Sequence, residues 1–216
     1  MIPIQIIACL LVLLEIGKQI TSFRGGYDLY HIPLHYCSLF LFTLPVMAFY
    51  NGKHQQTVYG VTAGVCASLF LLMLIYPALI YGAWDIENYF HNYLAMHTVT
   101  FHNLVMLAFL LILTLKVHTP QKGEQKAIVW FISGFCLISS VMAQILKTNY
   151  ANFYTCNIPP LENLRLIIQS VLGYWPTQIL YILIVSVLTV LFSVMSYRLY
   201  LLLHRLICVK TAEPVS

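Results

Sequence analysis

"HIPLHYCSLFLFTLPVMAFY", residues 31–50, passes from a polar tract with two imidazoles and a thiol into an apolar run that carries no Asp, Glu, Lys or Arg. Apolar and polar residues do not alternate along it, which excludes the strand of a membrane barrel. From Pro33 onward its length approaches the roughly 20 residues that a helix needs to cross a bilayer. The tract therefore reads as a transmembrane helix over 33–50. Pro33 is expected in its first turn, where the missing N–H costs nothing.

Working outward, five further apolar stretches have the same character, at 2–20, 57–80, 93–117, 127–147 and 176–206. The chain of 216 residues is 60% hydrophobic and only 8% charged, against about 25% charged in an average soluble domain. No water-soluble core hides that much apolar surface. The expected fold is an all-α polytopic bundle of six transmembrane helices forming one integral membrane domain, 1–216. A short amphipathic helix is expected before the last span. There Leu161, Leu164, Ile168, Val171 and Leu172 fall at helical spacing between Pro159-Pro160 and Gly173, and such a helix lies on the surface or folds back as a lid. The first stretch lacks a basic leader and a small-residue cleavage site, so it reads as a retained helix.

The basic residues orient the bundle. Lys53, Lys116, Lys122, Lys126, Arg198, Arg205 and Lys210 fall on one side, and Lys18, Arg24, Lys147 and Arg165 on the other. The excess of Lys and Arg on the first side places both termini in the cytoplasm of a multi-pass cell-membrane protein. The outward connections then hold most of the Tyr, Trp, Asn and His. With the basic residues explained as topology signals, no nucleic-acid partner is implied.

Polar side chains at membrane depth are costly, so they point to sites. His35 and Cys37 lie at the entrance of the second helix, where the macrodipole and a nearby imidazolium favour a thiolate. His91 and His102 lie three turns apart on one stripe of the fourth span, with His102 deepest. Asn149 and Tyr150 end the fifth span, and Trp175 opens the sixth. All these ends face outward, at the level of lipid head groups. Glu15 and Lys18, three apart in the first helix, are expected to pair with each other. His97 and His54 read as structural, and His118 and His204 as surface residues. The six cysteines show no CxxC and there is no HExxH pair, so no metal or other cofactor is implied.

Several of these tracts together resemble a known family. "EIGK" (15–18), "IPLHYC" (32–37), the histidines leading into the fourth span, "KTNY" (147–150) and "GYWP" (173–176) follow the order and spacing of the YwaF-like integral membrane proteins, which are related to vertebrate transmembrane protein 164. The resemblance implies a membrane acyltransferase acting on phospholipids. His35 and His102 match family histidines. The nucleophilic cysteine of the animal protein matches the position of Leu34 here, and Cys37 lies one turn further on. The family usually has a further helix ahead of "EIGK".

These readings converge on a Cys37/His35/His102 site acting on phospholipid acyl chains, with His91, Asn149, Tyr150 and Trp175 as substrate-binding candidates and membrane phospholipids as partners. An acyl hydrolase with the same parts is a close variant. The alternatives are a non-enzymatic protein that binds or transports a lipid or small solute, and an accessory subunit whose polar residues serve folding.

Overall fold

A computed structural model describes residues 1–210. Among the described residues there are eight α-helices and no strand: α1 (Ile2–Arg24), α2 (Leu39–Phe49), α3 (Gln55–Ile75), α4 (Ala83–Glu87), α5 (Tyr93–Thr114), α6 (Glu124–Leu146), α7 (Pro159–Leu172) and α8 (Tyr174–Lys210). Five of them, α1, α3, α5, α6 and α8, are long and apolar enough to cross a membrane.

The second of the six expected spans is shorter than the sequence implies. Its helical stretch is Tyr36–Phe49, and Pro33 lies outside it. Ile32, just before the proline, is extended (φ −60°, ψ 133°), as the proline ring requires of its predecessor. Leu34 N–H then donates to the Ile32 carbonyl at 2.7 Å, closing a three-residue γ-turn on Pro33. His35 is extended as well (φ −79°, ψ 157°), and a 3₁₀ turn, Tyr36–Ser38, leads into α2. The chain still runs back along α1: Gln19 Nε2 donates to the His31 carbonyl at 2.9 Å, and Gln5 Nε2 to the Ala48 carbonyl at 3.1 Å.

α3 is the central helix. Its residues from Thr62 to Leu69 are buried without interruption, and it packs on α2, α5, α6 and α8. A helix apolar on all sides belongs in the middle of a bundle. α8 lies at the edge, with Leu183, Val187, Leu188 and Leu191 outward. An apolar surface of that extent is a lipid-facing one.

Cross-links define the two ends. At one, Tyr59 O–H points to Met1 Sδ, Thr119 N–H donates to Gln56 Oε1 at 2.8 Å, and His118 bonds Tyr200 of α8. Met1 and the last turns of α8 therefore share this terminal end. The opposite, aromatic end holds the α1–α2 connection, residues 76–92 and the α6–α8 connection.

The expected amphipathic helix is α7, and its orientation is an inversion of a soluble one. Arg165 faces the protein, with Nε and Nη2 on Glu162 at 2.8 and 2.5 Å and Nη1 on Gln178 of α8 at 3.0 Å. These bonds hold the Glu162 carboxyl below its ordinary value. Leu161, Leu164, Ile167 and Val171 are exposed, as suits a helix with its apolar face in the bilayer interface.

His118 and His204 are buried, not on the surface. His118 Nε2 donates to Glu124 Oε1 at 2.9 Å, its Nδ1 accepts from Tyr200 O–H at 2.8 Å, and Tyr197 O–H bonds Glu124 Oε2. The carboxylate of α6 takes its partners from the α5–α6 connection and from α8, which locks the terminal end of the bundle.

Candidate functional site

A gathering of polar side chains at the aromatic end is centred on Glu15, which is 8% exposed in the middle of an apolar helix. Glu15, Lys18 and Gln19 stand at i, i+3 and i+4 and so share one face of α1. Lys18 Nζ lies 3.0 Å from Glu15 Oε1, as the spacing predicts, and Gln19 Nε2 lies 2.7 Å from the same oxygen. The other oxygen is 3.2 Å from His97 Nε2 of α5, off the line of a hydrogen bond. His97 stacks on Phe101 with centroids 5.3 Å apart. The close approach of α1 and α5 depends on Gly17: a Cβ there would stand 2.0 Å from Tyr93 Oη, whose hydroxyl donates to the Leu14 carbonyl at 3.0 Å.

The extended His35 positions its imidazole against the rings of Tyr30 and Tyr150, at centroid distances of 4.4 and 5.6 Å. Its Nε2 lies 3.0 Å from the Tyr30 carbonyl. A carbonyl only accepts, so Nε2 carries the proton and Nδ1 holds the free lone pair. Burial pushes the His35 imidazole below its ordinary value of 6.5, which keeps it a neutral base near pH 7. His102 obeys the same logic with the nitrogens exchanged. Its Nδ1 donates to the Thr98 carbonyl at 2.7 Å, leaving Nε2 basic, and its ring lies edge-on to Tyr81 and Phe101.

Cys37 sits half-buried in the 3₁₀ turn ahead of α2. Cys37 and Cys156 are both free thiols.

The structure brings His35 and Tyr150 into ring contact, and His97 to the Glu15–Lys18 pair. The rings packed on His35 differ from those packed on His102. The remaining candidates have other places. Asn149 Oδ1 accepts from the N–H groups of Tyr154 and Thr155 at 3.2 and 3.1 Å and shapes its own loop. Tyr150 donates to the Leu29 carbonyl at 2.5 Å, tying that loop to the α1–α2 connection. Trp175 is 63% exposed against Tyr174, and His91 is exposed in the turn before α5. Among the described residues no three His, Cys, Asp or Glu side chains converge as metal ligands.

Residues 2–209 match the TMEM164 family, a match that spans the histidines, the α1–α2 connection and the Glu15 cluster alike. The chain belongs to the TMEM164 family. No curated protein and no solved structure matches it. It is a multi-pass membrane member of that family, as its apolar helices and the family match together show. Within this TMEM164-family chain, sequence reasoning passed over Gln19, read His97 as structural and read Glu15 only as a partner for Lys18. The signal was the family tract "EIGK", whose Glu15 and Lys18 are the only charged residues of the run 2–20.

Proposed function

We propose that this protein transfers acyl chains between membrane phospholipids, with Cys37 as nucleophile and His35 as its base. The observation that carries the reading is the fixed tautomer of His35. Its Nε2–H is held on the Tyr30 carbonyl, so the free lone pair sits on Nδ1, two residues from a free thiol at the mouth of α2.

In the first step the Cys37 proton passes to His35 Nδ1 and the thiolate attacks an ester carbonyl of the donor lipid. The C–O bond breaks, the imidazolium returns its proton to the departing lysolipid oxygen, and a thioester remains on Cys37. In the second step the hydroxyl of an acceptor lysolipid gives its proton to His35 and attacks the thioester. The C–S bond breaks, and the thiolate recovers the proton. Asn149 and Tyr150 are engaged elsewhere. The oxyanion therefore falls to the backbone N–H groups of Tyr36 and Cys37, which head the helical stretch and precede its hydrogen-bond ladder. His102, with its own basic Nε2, serves the acceptor side. The outward orientation of this end follows from the distribution of Lys and Arg.

The test uses purified protein in lipid, with labelled phosphatidylcholine and a lysophospholipid. Expected are transfer of the label, a hydroxylamine-sensitive adduct on Cys37, and loss of both in Cys37→Ala, with His35→Ala and His102→Ala strongly impaired. Absence of transfer in the wild type, or full activity in Cys37→Ala, overturns the reading in favour of a lipid-binding protein without catalysis.

A further inference from the structure

α6 and α8 pack side by side, and each presents an apolar stripe to the lipid. On α8 the stripe is Leu188, Leu191, Met195 and Leu202, each more than half exposed. Arg198 follows Met195 by three residues and Arg205 follows Leu202 by three, so both stand on the same stripe. Both are exposed. On α6, Trp130 is 69% exposed, and the exposed Lys126 precedes it by one turn on the same face. Arg198 Nη2 reaches Gln125 Oε1 of α6 at 3.5 Å. The two stripes therefore turn cationic next to each other, at the terminal end of the α6–α8 seam.

These cations differ from ordinary topology signals in place and in partner. Lys53, Lys116 and Lys122 lie in connections between helices. Lys126, Arg198 and Arg205 lie on the lipid-facing sides of spanning helices, where a charge without a counter-charge is costly. No carboxylate answers them. Among the described residues, Asp28, Asp85, Glu87 and Glu162 belong to the aromatic end, and Glu15 to the half of α1 nearest it. Glu124 alone belongs to the terminal end. It is 1% exposed and turned inward to His118 and Tyr197.

Depth places the cluster. From Trp175 to Arg198, α8 rises about 35 Å at 1.5 Å per residue, slightly more than a hydrocarbon core of about 30 Å. Arg198 therefore stands in the head-group layer of the leaflet opposite the aromatic end. Trp130 lies just below it, where an indole marks the boundary between hydrocarbon and head groups.

We infer that the terminal end of the α6–α8 seam binds one anionic glycerophospholipid of the adjoining leaflet, its phosphate held between Lys126 and Arg198.

Arg198 gives one N–H to Gln125, which leaves the guanidinium further donors for phosphate oxygens to accept in pairs. Lys126 adds a point charge, and Arg205 a further cation on the outer side. The acyl chains lie against Trp130 and Met195. The missing carboxylate selects the head group. A zwitterionic lipid offers the same phosphate but brings its own ammonium into a site with no anion to receive it. A net-anionic lipid brings none. The lipid-facing placement selects the source, because a free phosphate ester has no chains to hold it against Trp130 and Met195.

The experiment titrates the full chain, purified in detergent, with phosphatidylglycerol or with phosphatidylcholine of the same acyl chains, and counts bound lipid by native mass spectrometry. Phosphatidylglycerol is expected to bind the more tightly. Lys126→Gln and Arg198→Gln should each weaken it about fivefold, and the double variant about 25-fold, as cations at the head-group level contribute. Phosphatidylcholine binding should change little. Lys126→Arg should keep the preference. Lys53→Gln, at the same end but off the seam, and Lys147→Gln, at the aromatic end, should leave it unchanged. The substituted side chains are exposed, and each variant is checked for a native elution profile and melting transition, so a misfolded protein cannot mimic the loss. Binding is read without acyl transfer, so its result stands apart from the catalytic reading.

Four outcomes overturn the inference. One is equal binding of the two lipids by the wild type. Another is a double variant that binds phosphatidylglycerol as the wild type does. The third is a Lys53→Gln loss as large as that of Arg198→Gln, which would assign the binding to diffuse charge over the whole end. The fourth is displacement of the lipid by an equal concentration of glycerol 3-phosphate, which would assign the site to a free phosphate ester.

Discussion

Replacing Glu124 by alanine removes a carboxylate that is 1% exposed and accepts from His118 Nε2 and Tyr197 O–H. Both donors stay buried, and each costs about 1–3 kcal/mol when left without an acceptor. The loss is offset in part, because a carboxylate no longer has to be held away from water. The net effect should lie near about 3–5 kcal/mol, inside the range set by two buried donors left without an acceptor. For a chain of this size that corresponds to a melting temperature lower by roughly 6–20 °C. Glu124→Gln keeps one acceptor oxygen and should lose about half as much.

Gly60 of α3 supplies the control. A Cβ at Gly60 would stand 2.7 Å from Glu124 Cδ and 2.8 Å from Oε2. Gly60→Ala must therefore displace the carboxylate and should cost about 1–3 kcal/mol in the wild type. In a Glu124→Ala background the obstructing atoms are gone, so the same change should cost almost nothing. The assay is a thermal or denaturant melt of the four proteins in detergent, read as a double-mutant cycle. The reasoning is refuted if Glu124→Ala melts within about 0.5 kcal/mol of wild type, or if the Gly60→Ala penalty survives in the double variant.

Gly17→Ala should destabilise by about 1–3 kcal/mol by driving Tyr93 off the Leu14 carbonyl, and Tyr93→Leu in the same chain should recover part of the loss in a melt. Burial lowers the pKa values of His31 and His35 below 6.5, so the unfolded chain takes up protons first as pH falls. Their contribution to stability is complete above about pH 6.5 and declines below it; melts across that range should show the slope, and His35→Gln should flatten it. Ala151 holds a left-handed backbone (φ 47°, ψ 30°) that glycine adopts without strain, so Ala151→Gly should raise stability by about 0.5–1 kcal/mol in the same assay.

Much of the architecture was legible because bilayer spanning is a local property. Length and apolar content within α1, α3, α5, α6 and α8 suffice to mark them, since each helix satisfies its own backbone hydrogen bonds wherever it sits. α7 was legible for the same reason, from its stripe and its flanking Pro159 and Gly173. Which face of it turns inward was not. Burying a charged face is favourable only when Gln178 and Glu162 stand ready for Arg165, and Gln178 comes from another helix.

The start of α2 shows where local reading reaches its limit. Pro33 is compatible with a first helical turn and with a γ-turn, and the choice between them depends on what holds the flanking residues. Ser139 of α6 bonds the Leu34 carbonyl at 3.1 Å, and Tyr150 of the α6–α7 connection packs on His35. Those partners favour the extended form.

By itself, the sequence determined a helical membrane protein, the places of its long helices, the pairing of Glu15 with Lys18, and the family tracts that run through the candidate site. The tertiary structure alone decided that His97 joins Glu15, that Tyr30 and Tyr150 pack on His35, and that His118 and Glu124 close the terminal end in a buried network. The physical reason is the range of the forces. Hydrophobicity and helix spacing act within a few residues of the chain, whereas a buried charge is stabilised by whichever groups the packing of other helices brings within about 3 Å of it.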